Sequence, residues 1–240
     1  MISAALRIDI ERWASRKEDN PVFHLARQGR LTRAMITRYI ANVTYMIRLT
    51  PGHLRLARDH AVELGDSALS AHYEHKLGEE VGHDLWGEAD LASLARLEHR
   101  TVYGPSVPAK APSNTTATSS IEELAAFLTK TIADDPALYL AYLAFTEYVT
   151  VLLGPELLAL IEDRCGVPKT SMTVIDKHIE LDRDHAEEGF GIIDDLVGDP
   201  RKLSPLRNAL AEMLAHFDRF CEEVTTLDLS DEPNQHVSAA

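Results

Sequence analysis

The sequence predicts an all-α protein, a bundle of about seven core helices. Two observations predict it. Apolar residues recur at steps of three and four between almost every pair of turn signals, and no stretch alternates apolar and polar residues as a half-buried strand would. Size is a third, since 240 residues at 45% hydrophobic content fill one sizeable core.

Ile8 and Trp13 belong to a short opening helix that ends before Asn20-Pro21. Thr32 caps Arg33 to Arg48, where Met35, Ile36, Tyr39, Ile40, Val43, Met46 and Ile47 form the apolar stripe. Thr50-Pro51-Gly52 breaks the chain, and Pro51 opens a helix running to about Leu64. After the turn Gly65-Asp66-Ser67 the pattern is helical from Ala68 to Leu97. Ser120 and Glu123 make a capping box for Ile121 to Ala133. Asp134-Asp135-Pro136 resets the chain before a long apolar helix, Ala137 to Asp163. Ser171 to Leu196 is bounded by Gly166 and Pro168 before it and by Gly198 and Pro200 after it. Ser204-Pro205 starts the last helix, which reaches about Leu227. Residues 1–227 thus form one expected helical-bundle domain with a flexible loop at 104–119, and 228–240 an expected disordered tail.

Charge narrows the function classes. Lys and Arg total 24 against 38 Asp and Glu, a net charge of −14, which argues against nucleic acid or an anionic membrane as partner. The expectation is that no apolar run approaches the roughly 18–20 residues of a membrane span. Asp9 and Glu11 stand where a signal peptide would be apolar, so the expectation is a soluble, cytoplasmic protein. Cys165 and Cys221 make neither a disulfide framework nor a CxxC site.

Three segments carry metal-ligand chemistry. Glu80-Val81-Gly82-His83 places a carboxylate and an imidazole three apart, on one face if the helix is continuous. Glu79 lies four before His83 and is an alternative to Glu80; a solvated acidic helix would carry such a motif without a metal. His178, Asp182 and His185 are spaced by four and three and share a second face. The two histidines are about 10.5 Å apart along the axis, too far for one ion, whereas two ions about 3.5–4 Å apart fit with Asp182 between them. Glu147 is the only acid between Ala137 and Leu153, and a buried carboxylate needs a cation or a partner. A salt bridge to Arg38 or Arg48 is the alternative. Three imidazoles and three carboxylates on three helices suit a pair of iron or manganese ions.

These residues resemble the heme-oxygenase-like di-iron oxidases and oxygenases, relatives of the TenA/PqqC scaffold. The resemblance rests on EExGHDxW (Glu79 to Trp86), the lone Glu147 and HxxxDxxH (His178 to His185), and spans about residues 30 to 200. It implies a heme-oxygenase-like bundle and iron held by Glu80, His83, Glu147, His178, Asp182 and His185, with a third core helix that grips its iron weakly. O2 as co-substrate, a small amino-acid- or fatty-acid-like metabolite, a setting in natural-product biosynthesis and a homodimer are also implied. Some members carry a carboxylate seven residues before the histidine, where this chain has Lys76. Lys76 would pair with a substrate carboxylate or a ligand acid, or reach solvent.

Relatives on the same scaffold fit less well. A thiaminase needs a nucleophilic cysteine, and neither cysteine is well placed. A heme reading leaves HxxxDxxH idle. A metal-free scaffold protein and a ferritin-like iron oxidase complete the alternatives to the expected di-iron enzyme.

Overall fold

The computed structural model describes residues 1–103 and 117–226, with the side chains of 98–103 outside the description. All secondary structure among the described residues is helical: α1 (Ile2–Ala14), α2 (Pro21–Arg27), α3 (Arg33–Glu63), α4 (Ser67–Glu80), α5 (Asp84–Tyr103), α6 (Ser119–Asp134), α7 (Tyr139–Cys165), α8 (Thr173–Ile192) and α9 (Leu203–Thr226). The expected all-α class is therefore observed. The tail at 228–240 and most of the loop at 104–119 lie outside the described residues; 117–119 lead into α6.

Several boundaries differ from expectation, each for a physical reason. Pro51 does not end a helix but sits inside α3. Its missing N–H costs one hydrogen bond, yet Ile36, Ile40, Leu54, Ala57 and Ala61 are all buried along the same helix, and that packing outweighs the loss. The segment Ala68 to Leu97 divides instead, at Gly82, whose φ of +91° suits glycine alone. α2, which the sequence reading left out, starts at Pro21 and is capped by Asn20, whose side chain accepts from Val22 and Phe23 N–H. The Ser120–Glu123 capping box does not form. Ser120 donates through its hydroxyl to Glu223 of α9 at 2.7 Å, while Glu123 pairs with Arg219 at 3.0 Å.

α3 carries α4, α5 and α6 on its flanks, α7 packs most extensively on α8, and α9 and the α5–α8 contact join the two groups. Tyr139 through Phe145 at the start of α7 are all buried. Pro136–Cys165 is, by length and composition, apolar enough to cross a membrane, with mean hydropathy 1.5 over its most apolar window. This corrects the expectation that no run approaches that length; half of the window is buried inside the bundle.

Candidate metal centre

The α4–α5 break shapes the first part of the site. Glu80 ends α4, Val81 is extended, Gly82 takes the left-handed backbone and His83 stands in the turn before α5. The expected continuous helix is thus absent, but the turn still brings His83 Nδ1 to 3.3 Å from Glu80 Oε2. α8 supplies His178. Its Nδ1–H donates to the Val174 carbonyl at 2.6 Å, which leaves Nε2 as the basic nitrogen. The start of α8 is anchored by Asp90 of α5, which accepts from Thr173 Oγ1 at 2.6 Å and Val174 N–H at 2.7 Å. One buried carboxylate therefore fixes the helix bearing His178 against the helix that follows His83.

Glu80, His83 and His178 each present a ligand atom, and the three atoms lie within 4.8 Å of one another. Trp86 braces both rings: it stacks on His83 at 4.3 Å between centroids and meets His178 edge-on at 5.6 Å. Lys177 Nζ covers the same indole at 4.4 Å. The remaining predicted donors form an adjoining group. His185 Nδ1 is 3.8 Å from Asp182 Oδ1, and His185 Nε2 is 3.8 Å from Glu79 Oε1. Glu147 is buried but paired with neither Arg38, which donates to the Val224 carbonyl, nor Arg48, which binds Asp84 and Glu88. Its partner is Lys76, whose Nζ lies 2.9 Å from Glu147 Oε1 and 2.9 Å from Glu79 Oε2. The lysine side chain is 8% exposed, so it does not reach out to solvent.

Electrostatics separate the acids. Burial raises Glu80, but the His83 imidazole 3.3 Å away and the charges of His178 and Lys76 outweigh it and hold the carboxyl below its ordinary range. Burial dominates at Glu147 and pushes it up to about 7 despite the ammonium beside it. Asp182 is also raised, by burial first, with Glu80 adding repulsion. Buried acids held this way favour protonation or a nearby cation. A cation fits the donor set. Of the five buried side-chain polar atoms without a hydrogen-bond partner among the described residues, three belong here: Glu79 Oε2, His83 Nδ1 and His185 Nδ1. Lys76 meets Glu79 Oε2 at ion-pair distance only, outside hydrogen-bond geometry. Mixed imidazole and carboxylate donors suit iron or manganese.

Glu80, Glu147, His178 and Asp182 border a cavity of about 180 Å³, walled elsewhere by Tyr39, Met46, Leu124, Tyr142, Phe217 and Phe220. Among the described residues no Lys or Arg lines it, and Lys76 stands behind Glu147, outside the wall. Cys221 does line it, but burial pushes its thiol up to about 12, which is no nucleophile at neutral pH. Cys165, at the end of α7, is raised by burial as well.

The arrangement of helices has solved counterparts. A domain of unknown function with a heme oxygenase-like fold from Shewanella denitrificans OS217 superposes with a TM-score of 0.76 at 20% identity, covering 92% of this chain and 90% of that one. This chain has the heme oxygenase-like fold. A TenA homolog from Pseudomonas syringae pv. tomato DC3000 gives a TM-score of 0.66 at 16% identity, covering 92% and 91% of the two chains. A CADD-like protein of unknown function from Nostoc punctiforme PCC 73102 gives 0.61 at 16%, covering 92% and 96%. No protein-family model matches the sequence, and no curated protein does. At these identities the likeness carries the fold and leaves the chemistry to the site.

Glu79, Trp86 and Asp90 are the site residues that sequence reasoning assigned no role or left as an alternative. Glu79 and Glu80 both face the centre, one toward Lys76 and His185, the other toward His83. The EExGHDxW pattern already contained Trp86; nothing local marks Asp90, whose partners are more than eighty residues away.

Proposed function

We propose that this protein is a non-heme iron enzyme that uses O2 to oxidise, oxygenate or cleave a small, largely apolar metabolite. The observation that carries the reading is the meeting of Glu80, His83 and His178 beside a mostly apolar cavity that Glu80 and His178 border. Those three residues would hold the iron, with Glu147, Asp182 and His185 as the donors of the adjoining group. Bound iron would supply the O2 chemistry that amino-acid side chains lack.

The residues of the chain have definable tasks around it. His178 keeps one tautomer through Val174, so its ligand nitrogen needs no rearrangement. Trp86 and the Asp90 anchor hold the imidazoles in place, and Tyr39, Met46, Phe217 and Phe220 orient an apolar tail and exclude water. Among the described residues no Lys or Arg lines the cavity, so a substrate carboxylate would find its counter-charge at the metal. The tail of a short fatty-acid-like substrate would lie among the apolar wall residues, and the ammonium of an amino-acid-like one would face Glu147 or Asp182. The volume lies below the roughly 300 Å³ at which drug-sized pockets begin, which suits a small metabolite and not a porphyrin.

Anaerobic Fe(II) titration followed by rapid mixing with O2 tests the reading. Stoichiometric Fe(II) binding and O2 consumption that depends on an added short-chain fatty acid are expected, with both lost in His178→Ala while the helical spectrum persists. A folded protein that ignores Fe(II) would instead be the metal-free binding protein, for which Lys76 already neutralises part of the acid cluster.

A further inference from the structure

We propose that Lys76 is a resident cation that fills the second metal position of this centre, so that each chain holds one metal ion and not two. The inference rests on the metal-binding reading above and changes its stoichiometry. Six predicted ligands should serve a pair of ions, but the structure divides them unequally. Glu80, His83 and His178 each bring a ligand atom within 4.8 Å of the other two. The adjoining group already holds a cation: the ammonium of Lys76 stands 2.9 Å from a carboxylate oxygen of Glu147 and 2.9 Å from one of Glu79. His185 in turn faces Glu79 and Asp182, each at 3.8 Å. A metal ion and an ammonium cannot share the gap between those two glutamates.

Burial makes the arrangement durable. Lys76 is 6% exposed and Glu147 also 6%, and lysine is almost never buried this far without partners. Gly189 packs behind Glu147, where a Cβ would come within 3.2 Å of Oε2, so a larger residue there would crowd the carboxylate. An ammonium supplies charge without an open coordination position, so O2 and substrate would meet a metal on the Glu80 side alone.

Equilibrium dialysis against Co(II), with bound metal counted by elemental analysis, tests this directly. The wild type is expected to retain one Co(II) per chain, Lys76→Ala and Lys76→Gln two, and Lys76→Arg, which keeps the charge, one. Circular dichroism selects folded protein, and a variant that needs the ion to fold is refolded with Co(II) present. Two ions in the wild type, or one in a folded Lys76→Ala, overturns the role given to Lys76 and leaves the metal-binding reading standing. No ion in the wild type but one in Lys76→Ala overturns the one-ion stoichiometry together with the metal-binding reading of the wild type. No ion in any form overturns both.

Discussion

At the scale of single residues, the pairing of Lys76 with Glu147 has an energetic consequence that metal-free protein reveals. Removing one partner of a buried ion pair leaves the other charge uncompensated, at a cost of about 3–5 kcal/mol. Lys76→Ala without metal should therefore unfold at a markedly lower urea concentration than wild type, and Co(II) should return more stability to the variant than to the wild type. An unchanged urea midpoint would mean that Glu147 finds a proton or a water in place of the lysine. Glu147 was legible in the sequence because a lone acid in an apolar helix must have a partner. Which partner was not legible, since Arg38, Arg48 and Lys76 were equally cationic and only the rotation of α4 brings one of them within 2.9 Å. Trp86 was hidden for a similar reason: an aromatic residue at helical spacing signals core packing, and its stacking on His83 depends on a turn that periodicity does not reveal.

At the scale of elements, the turn between α4 and α5 does what the expected continuous helix was meant to do. Gly82, at φ +91°, redirects the chain so that His83 can face Glu80. Gly82→Ala places a Cβ where it is strained, at a cost of about 1–2 kcal/mol, although open space surrounds the position. The expected result is a modest fall in melting temperature with a larger loss of Co(II) affinity, as the turn relaxes and His83 moves. Equal affinity would show that the turn has no part in ligand placement. A second joint is chemical. Glu223 of α9 accepts from Ser119 Oγ, Ser120 N–H and Ser120 Oγ at the start of α6. Burial raises its carboxyl, but these donors outweigh it and hold the value below the ordinary 4.5. A depressed acid contributes stability that is complete above the ordinary value and lost as pH falls through the lowered one. Glu223→Gln should cost about 1 kcal/mol at neutral pH, given its partial exposure, and the gap to wild type should shrink below pH 4.5. A gap constant with pH would remove the charge from the explanation. The helices themselves were largely legible because their stripes are local. The exceptions, Pro51 within α3 and the Glu223 cap of α6, depend on packing and on a partner 103 residues away.

At the scale of the whole molecule, the candidate centre lies where the two groups of helices meet. Glu80 and His83 belong to the α4–α5 side, which packs on α3, and His178 belongs to α8, which packs on α7. Asp90 is a protein-made tie across the same boundary. An ion held by all three donors would be a second tie, present only in the folded state, so it stabilises the bundle by mass action. At a free concentration one hundred times the dissociation constant the gain is about 2.7 kcal/mol. A domain of this size gains about 2–4 °C per kcal/mol, so Co(II) should raise the melting temperature by about 5–11 °C. Because the tie spans both groups, one calorimetric transition should move as a unit. Two separating transitions would place the ion within one group alone. His178→Ala should abolish the rise, whereas Asp90→Ala should lower the metal-free melting temperature yet keep most of it, since the ion can replace the missing protein tie. If Asp90→Ala loses the rise as completely as His178→Ala, the anchor at the start of α8 sets the position of His178 and the two ties are a single device.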